Sequence, residues 1–319
     1  MVAAGCRASV ESGAEPTSAA PATAQARRDF AGLVGVGDGR RMYATCRGAG
    51  SPTVVLIAGK GNGADDFMQV LDPNDPEHDA PGDDVPMGMG TLQHSDSAVF
   101  PSVARFTRVC TYDRPDVGDR TEDVTTSRTQ PHTVDLDVSD LHALLTALGE
   151  PGPYVLVSHS YGSLVANLFA RTYPQTVGGL VMVDGVSPLM EGMVTAGALA
   201  NWDASNATTS PQVREGVKVI DAFRQINAAA PLPKVPTVVL SADKPWRTDL
   251  LPPEARKGEM VTFANWHASQ EQAAAALGAK LITKTNSGHD IYLYSPALVV
   301  DSIHEIVDQV CQSTTPATR

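Results

Sequence analysis

The chain is poor in aromatic side chains, which make up 5% of its residues, and poor in positive charge. Its 24 Lys and Arg stand against 36 Asp and Glu, a net charge of −12. A nucleic-acid surface needs clustered positive charge, so the balance argues against that class of partner. The sequence holds no run of about 18 apolar residues, the length that a membrane-crossing helix requires. It has four cysteines and no Cys-x-x-Cys pair. Neither the cysteines nor the eight histidines follow the spacing of a zinc site. Glycines 59, 61 and 63 surround Lys60, but no Gly-Lys-Ser/Thr ending follows, so they do not form a phosphate loop. What is present is 42% hydrophobic residues in 319, enough for one large α/β domain, alone or with a small insertion.

The strongest local signal lies at 154–170. The apolar run Tyr154-Val155-Leu156-Val157 leads into Ser158-His159-Ser160-Tyr161-Gly162, and an apolar helix-like segment follows. Strand, sharp turn and helix in that order present a serine as a nucleophile. Further strands are predicted over 41–46, 53–57, 107–112, 179–185, 236–240 and 279–283, and helices over 99–105, 134–148, 264–277 and 296–310. Alternation with short connections predicts a mostly parallel sheet covered on both faces. In such sheets active residues gather at the carboxyl ends of the strands. Ser160, Asp184, Asp243 and His289 all follow strands there.

A serine hydroxyl is a weak nucleophile and needs a base. His289, in the turn Ser287-Gly288-His289 after the last strand, is the candidate. The order Ser, Asp, His matches one triad class. Asp184 and Asp243 compete to orient His289. Asp184 is preferred, because Asp243 sits very close to its strand and is followed by Pro245 and Trp246. The amides of Lys60 and Tyr161 are the candidate oxyanion donors. Only the Lys60 backbone is used in this reading, and its ammonium is expected in solvent. His159 is expected to turn away from Ser160 and serve packing. His267 and His304 fall in helices and receive no role.

The region 71–97, rich in Asp, Pro and Gly and carrying Asn74, His78 and His94, reads as a long surface loop. Its acidic run does not match a calcium loop and reads as a solvated face. Residues 187–231 lack a clean period and read as a small helical cap. Met190, Met193, Trp202 and Phe223 are candidates there for an apolar acyl site, with plain packing as the alternative. Residues 1–29 read as a disordered tether and 313–319 as a flexible tail. The start, Met1-Val2-Ala3-Ala4-Gly5-Cys6, resembles the end of a lipoprotein signal without its positive and apolar regions. A lipid anchor on Cys6 then requires an upstream start; a chance match is the other reading. Cys46 and Cys110 lie in predicted strands, as a bridge if these are neighbours or as two buried thiols if not.

Together these residues resemble the α/β-hydrolase superfamily over about 40–312, and actinobacterial esterase-like hydrolases in particular. Segments such as Gly50-Ser51-Pro52-Thr53-Val54-Val55-Leu56, Phe106-Thr107-Arg108-Val109-Cys110 and Tyr112-Asp113-Arg114-Pro115 carry the likeness. The chain departs from the usual pattern in having Ser158 for the first elbow glycine and Ala58-Gly59 for His-Gly. The resemblance implies an α/β-hydrolase fold: an eight-stranded, mostly parallel sheet with helices on both faces and a helical cap, the hydrolase domain covering 30–312. It maps an acid after the sixth strand on Asp184 and one after the seventh near Asp243. It places the strands of Cys46 and Cys110 side by side, and so implies their disulfide. It implies no cofactor, and the ligand spacing predicts no metal. A serine in the nucleophile position argues against dehalogenase and epoxide hydrolase chemistry. The expected activity is cleavage of a small or medium-sized carboxylic ester through an acyl-enzyme. An amidase or peptidase, or a non-catalytic binding protein, is the alternative. The cysteines and the N-terminus favour an extracytoplasmic or envelope-attached location over the cytoplasm.

Overall fold

The computed structural model describes residues 28–72, 91–118, 120–246 and 258–314. Cys6 and the tether as far as residue 27, the acidic loop with Asn74 and His78, and the tail beyond 314 lie outside the described residues.

The fold starts with a hairpin, β1 (Phe30–Gly37) and β2 (Arg40–Arg47). Asp38 and Gly39 join them with φ of 53° and 72°. Two residues at positive φ match the right-handed twist of the strands they connect, and Asp-Gly tolerates that conformation. Next come β3 (Thr53–Ile57), β4 (Gln69–Leu71), β5 (Leu92–His94), α1 (Val99–Val103) and β6 (Val109–Tyr112). β4 and β5 pair as a small antiparallel ribbon at the two ends of the region read as a loop, a pairing the sequence does not predict. The chain continues through α2 (Val134–Ala147), β7 (Tyr154–His159), α3 (Gly162–Thr172) and β8 (Val177–Val183). The segment read as a cap carries α4 (Ala196–Ala207) and α5 (Val219–Ala228). β9 (Thr237–Leu240), α6 (Phe263–Leu277), β10 (Lys280–Ile282), α7 (Ile291–Tyr294) and α8 (Pro296–Thr314) complete it.

The main sheet has eight strands in the order β1-β2-β6-β3-β7-β8-β9-β10, and β2 alone runs against the others. Side chains of a strand alternate between faces. Accordingly Val55, Ile57 and Leu156 join the core under α2, α3 and α5, whereas Val54, Leu56, Val155 and Val157 join the core under α1 and α8. A sheet buried on both faces needs the near-continuous apolar strands that the sequence shows.

β2 and β6 place Cys46 opposite Cys110, with Cα atoms 4.1 Å apart, and the two are joined by a disulfide. Antiparallel neighbours approach this closely only at the non-hydrogen-bonded pair positions. Met190 and Phe223 are fully buried in the core against α3, so they pack instead of lining an open acyl site. Half-buried Trp202 packs tilted against Phe223 and edge-on to Trp266.

Candidate active site

Ser160 occupies the turn between β7 and α3 with φ of 49°, a left-handed conformation costly for a side-chain-bearing residue. Its amide donates to Val183 O at 3.3 Å and its carbonyl accepts from Val186 N at 3.0 Å, so the end of β8 braces the turn. Gly162 makes the turn sterically feasible: a Cβ there would overlap the carbonyl oxygens of Ile57 and Ala58. Ser158, in place of the usual glycine, is buried, with its hydroxyl 2.9 Å from that of Ser163. A small side chain with a partner is thus accommodated.

Asp184 ends β8 at φ of 43° and is fully buried. Its Oδ1 accepts from the Ala242 amide at 2.9 Å. Its Oδ2 lies 2.6 Å from His289 Nδ1 and accepts from Trp266 Nε1 at 2.8 Å. Asp243 meets a different part of the same loop. Its two oxygens accept from the amides of Asn286 at 3.0 Å and Ser287 at 2.9 Å, while the Asp243 and Lys244 amides donate to Ser287 O at 3.1 Å. The structure therefore brings Asp184 to the imidazole and Asp243 to the backbone that carries it.

Ser160 and His289 line one cavity of about 810 Å³, together with Lys60, Asn62, Asp66, Asp113, Arg120, His159 and Asp290. Gly59 passes so close that a Cβ there would lie 3.2 Å from Ser160 Cβ and 2.8 Å from His159 Nδ1. The amides of Lys60 and Tyr161 flank this point, and among the described residues neither has a hydrogen-bond acceptor. The Lys60 side chain borders the cavity, and its ammonium makes an exposed contact. The residue is half-buried, donates to Thr208 O at 3.4 Å, and burial lowers its pKa.

His159 is buried, with its ring 4.5 Å from that of His289 and its Nε2 3.1 Å from His289 O. Burial, and then the neighbouring His289, push its pKa well below the ordinary 6.5, so it stays neutral. His267 pairs with Ser241 at 3.0 Å, and His304 packs edge-on to Phe106. Burial raises the Asp66 carboxyl to about 6, against the opposing hydrogen bonds from Asn62 and Gly63.

Three residues to which the sequence assigns no role shape the site. Trp266 shares an Asp184 oxygen with His289. Arg114, a fully buried guanidinium at the end of β6, pairs with Glu215, a fully buried carboxylate between α4 and α5. The dipeptide Asp113-Arg114 after a strand is the only sequence signal for Arg114. Nothing local marks Glu215 or Trp266. His132, Asp137 and Glu215 are grouped closely enough to ligate a metal ion. The Arg114 guanidinium already compensates Glu215 there, so the donor set is a poor fit for a second cation.

A family model described as the alpha/beta hydrolase family matches residues 88–302. The chain belongs to that family. The hydrolase is 26% identical over 236 residues to the uncharacterized protein YqjL of Bacillus subtilis, covering 72% of this chain and 84% of that protein. Its fold also matches solved structures. A thermophilic esterase of Thermogutta terrifontis superposes with a TM-score of 0.51 at 16% identity, covering 89% of this chain and 99% of that one. Est816, described as an N-acyl homoserine lactone degrading enzyme, gives a TM-score of 0.51 at 17% identity, over 86% and 99% of the two chains. At such identities the likeness concerns the fold.

Proposed function

We propose that this hydrolase cleaves a carboxylic ester of a small or medium-sized substrate through an acyl-enzyme on Ser160. The observation that carries the reading is the 2.6 Å contact of His289 Nδ1 with a fully buried Asp184, while His289 and Ser160 line one cavity. Asp184 holds the tautomer with the proton on Nδ1, which leaves Nε2 as the base. His289 takes the hydroxyl proton as Ser160 Oγ attacks the ester carbonyl. The oxyanion is held by the amides of Lys60 and Tyr161. As the C–O bond breaks, the imidazolium returns the proton to the departing alcohol. Water then attacks the acyl-enzyme, giving its proton to His289. The acid leaves and Ser160 regains its proton. A protein described as a thermophilic esterase shares the fold, which supports the choice of ester.

One observation favours a second reading, an amidase or peptidase for substrates with a free amine. The carboxylates of Asp66 and Asp290 line the cavity, and carboxylates suit an ammonium group.

Fluorophosphonate labelling of wild type and Ser160→Ala tests both readings, followed by aryl esters of increasing acyl length and aminoacyl anilides. Labelling lost in S160A, with ester turnover above anilide turnover, is expected. Faster anilide cleavage would transfer the assignment to the amidase. A folded wild type that takes no label would sink the hydrolytic mechanism.

A further inference from the structure

An oxyanion fits between the amides of Lys60 and Tyr161 only if two separate backbone segments keep a fixed spacing. Buried charge ties both segments down. Arg114 Nη1 donates to Ala58 O at 2.8 Å and Nη2 to Gly59 O at 2.5 Å. Nε donates to Glu215 Oε1 at 2.7 Å and Nη2 to Glu215 Oε2 at 3.0 Å. The same Glu215 Oε2 accepts from the Gly61 amide at 2.6 Å. The peptide groups on both sides of Lys60 are thus gripped by one ion pair, through carbonyls before it and an amide after it. The second segment is anchored alongside. The Tyr161 hydroxyl donates to Asp137 Oδ2 at 2.7 Å, and the guanidinium carbon of Arg114 lies 5.4 Å from the Tyr161 ring centroid.

A buried ion pair is weak evidence for stability, because desolvation of both charges offsets their attraction. Here the pair has geometry that an apolar pair lacks. A planar guanidinium can meet two successive carbonyls and a carboxylate at once. Glu215 comes from the segment between α4 and α5, so a residue outside the sheet completes the grip on a loop at the end of β3. Resting on the mechanism proposed above, we infer that Arg114 and Glu215 are positioning residues for the oxyanion site. Seating of the α4–α5 segment is then what sets the Lys60 amide.

The test compares wild type with the double variant R114M/E215L and with Arg114→Lys. The double variant removes both charges together and leaves neither buried alone. Three readouts are taken: kcat and KM on p-nitrophenyl acetate, the inhibition constant of an aryl trifluoromethyl ketone, and exchange of the Asn62 amide. The ketone forms a hemiketal oxyanion on Ser160, so its affinity follows oxyanion stabilisation. The Asn62 amide bonds to Gly59 O at 3.2 Å and reports the turn without touching either variant side chain.

The double variant is expected to lose about tenfold to hundredfold in kcat, less than complete loss of a donor, with KM within about twofold. The ketone should weaken by the same factor, and Asn62 exchange should quicken. R114K, which keeps the charge and loses the fork, should fall between. It decides the question if the double variant does not fold. Wild-type kcat in a folded variant, a loss confined to KM, or unchanged Asn62 exchange would overturn the inference. If wild type neither turns over esters nor takes a fluorophosphonate, the proposed reaction fails. The exchange arm then decides alone whether the pair holds the loop.

Discussion

Asp184 Oδ2 receives two donors, His289 Nδ1 and Trp266 Nε1, and this concentrates the proposed triad's dependence on one atom. Asp184→Asn should leave the geometry and reverse the tautomer of His289, lowering the rate of fluorophosphonate labelling by about 10⁴-fold. Asp243→Asn should cost far less, because Asp243 holds the 286–287 backbone instead of the ring. Equal losses in the two variants would contradict the assignment. Trp266→Phe removes one hydrogen bond to a carboxylate, about 1–2 kcal/mol, and should slow labelling about tenfold. Both aspartates were legible in the sequence as strand-end carboxylates. The preference for Asp184 rested only on how closely Asp243 follows its strand, whereas the pairing itself depends on where the loop after β10 turns back over β8.

At the level of elements, the β7–Ser160–α3 unit was legible because its parts are contiguous. Its tolerance of Ser158 depends on Ser163, in the first turn of the helix. Gly162→Ala should push the start of α3 off the end of β3, costing about 1–3 kcal/mol, read as a lowered urea midpoint. β1 was not legible. It is an edge strand, half exposed and broken by Gly32, Gly35 and Gly37, so it has no clear alternation. The loop before α2 and its first turn carry a pH-sensitive contact. His132 Nε2 lies 3.0 Å from Asp137 Oδ2 and Nδ1 lies 3.1 Å from Gln130 Oε1. Burial pushes its pKa down, but the Asp137 hydrogen bond and the charges of Asp137 and Glu215 outweigh this and raise it above 6.5. The folded protein therefore binds that proton more tightly than the unfolded chain. The stabilisation is complete below 6.5 and is lost as pH rises through the higher folded value. Urea midpoints should fall over that alkaline window in wild type, and His132→Gln should flatten the dependence. A wild-type slope that survives in H132Q would assign it to another group.

For the whole molecule, the Cys46–Cys110 disulfide closes a separation of 64 residues across two strands. Its removal in a double Cys→Ala variant should cost about 2–4 kcal/mol, seen as a lower Tm than wild type without reductant. No change in Tm would mean that the strands hold without the bridge. Disulfides persist in oxidising compartments, and we propose an extracytoplasmic location on that basis. Alkylation before extraction from the native source should leave both thiols unmodified, and their modification would count against that location. The sequence by itself determined the alternation of strands and helices, the serine turn and the strand-end carboxylates. Each of these is written in residues adjacent in the chain, where backbone conformation and side-chain period act. Only the tertiary structure decided that Asp184 meets His289 across 105 positions and that Glu215 meets Arg114 across 101. Those pairings follow from strand order and loop path, which long-range packing sets and no local pattern encodes.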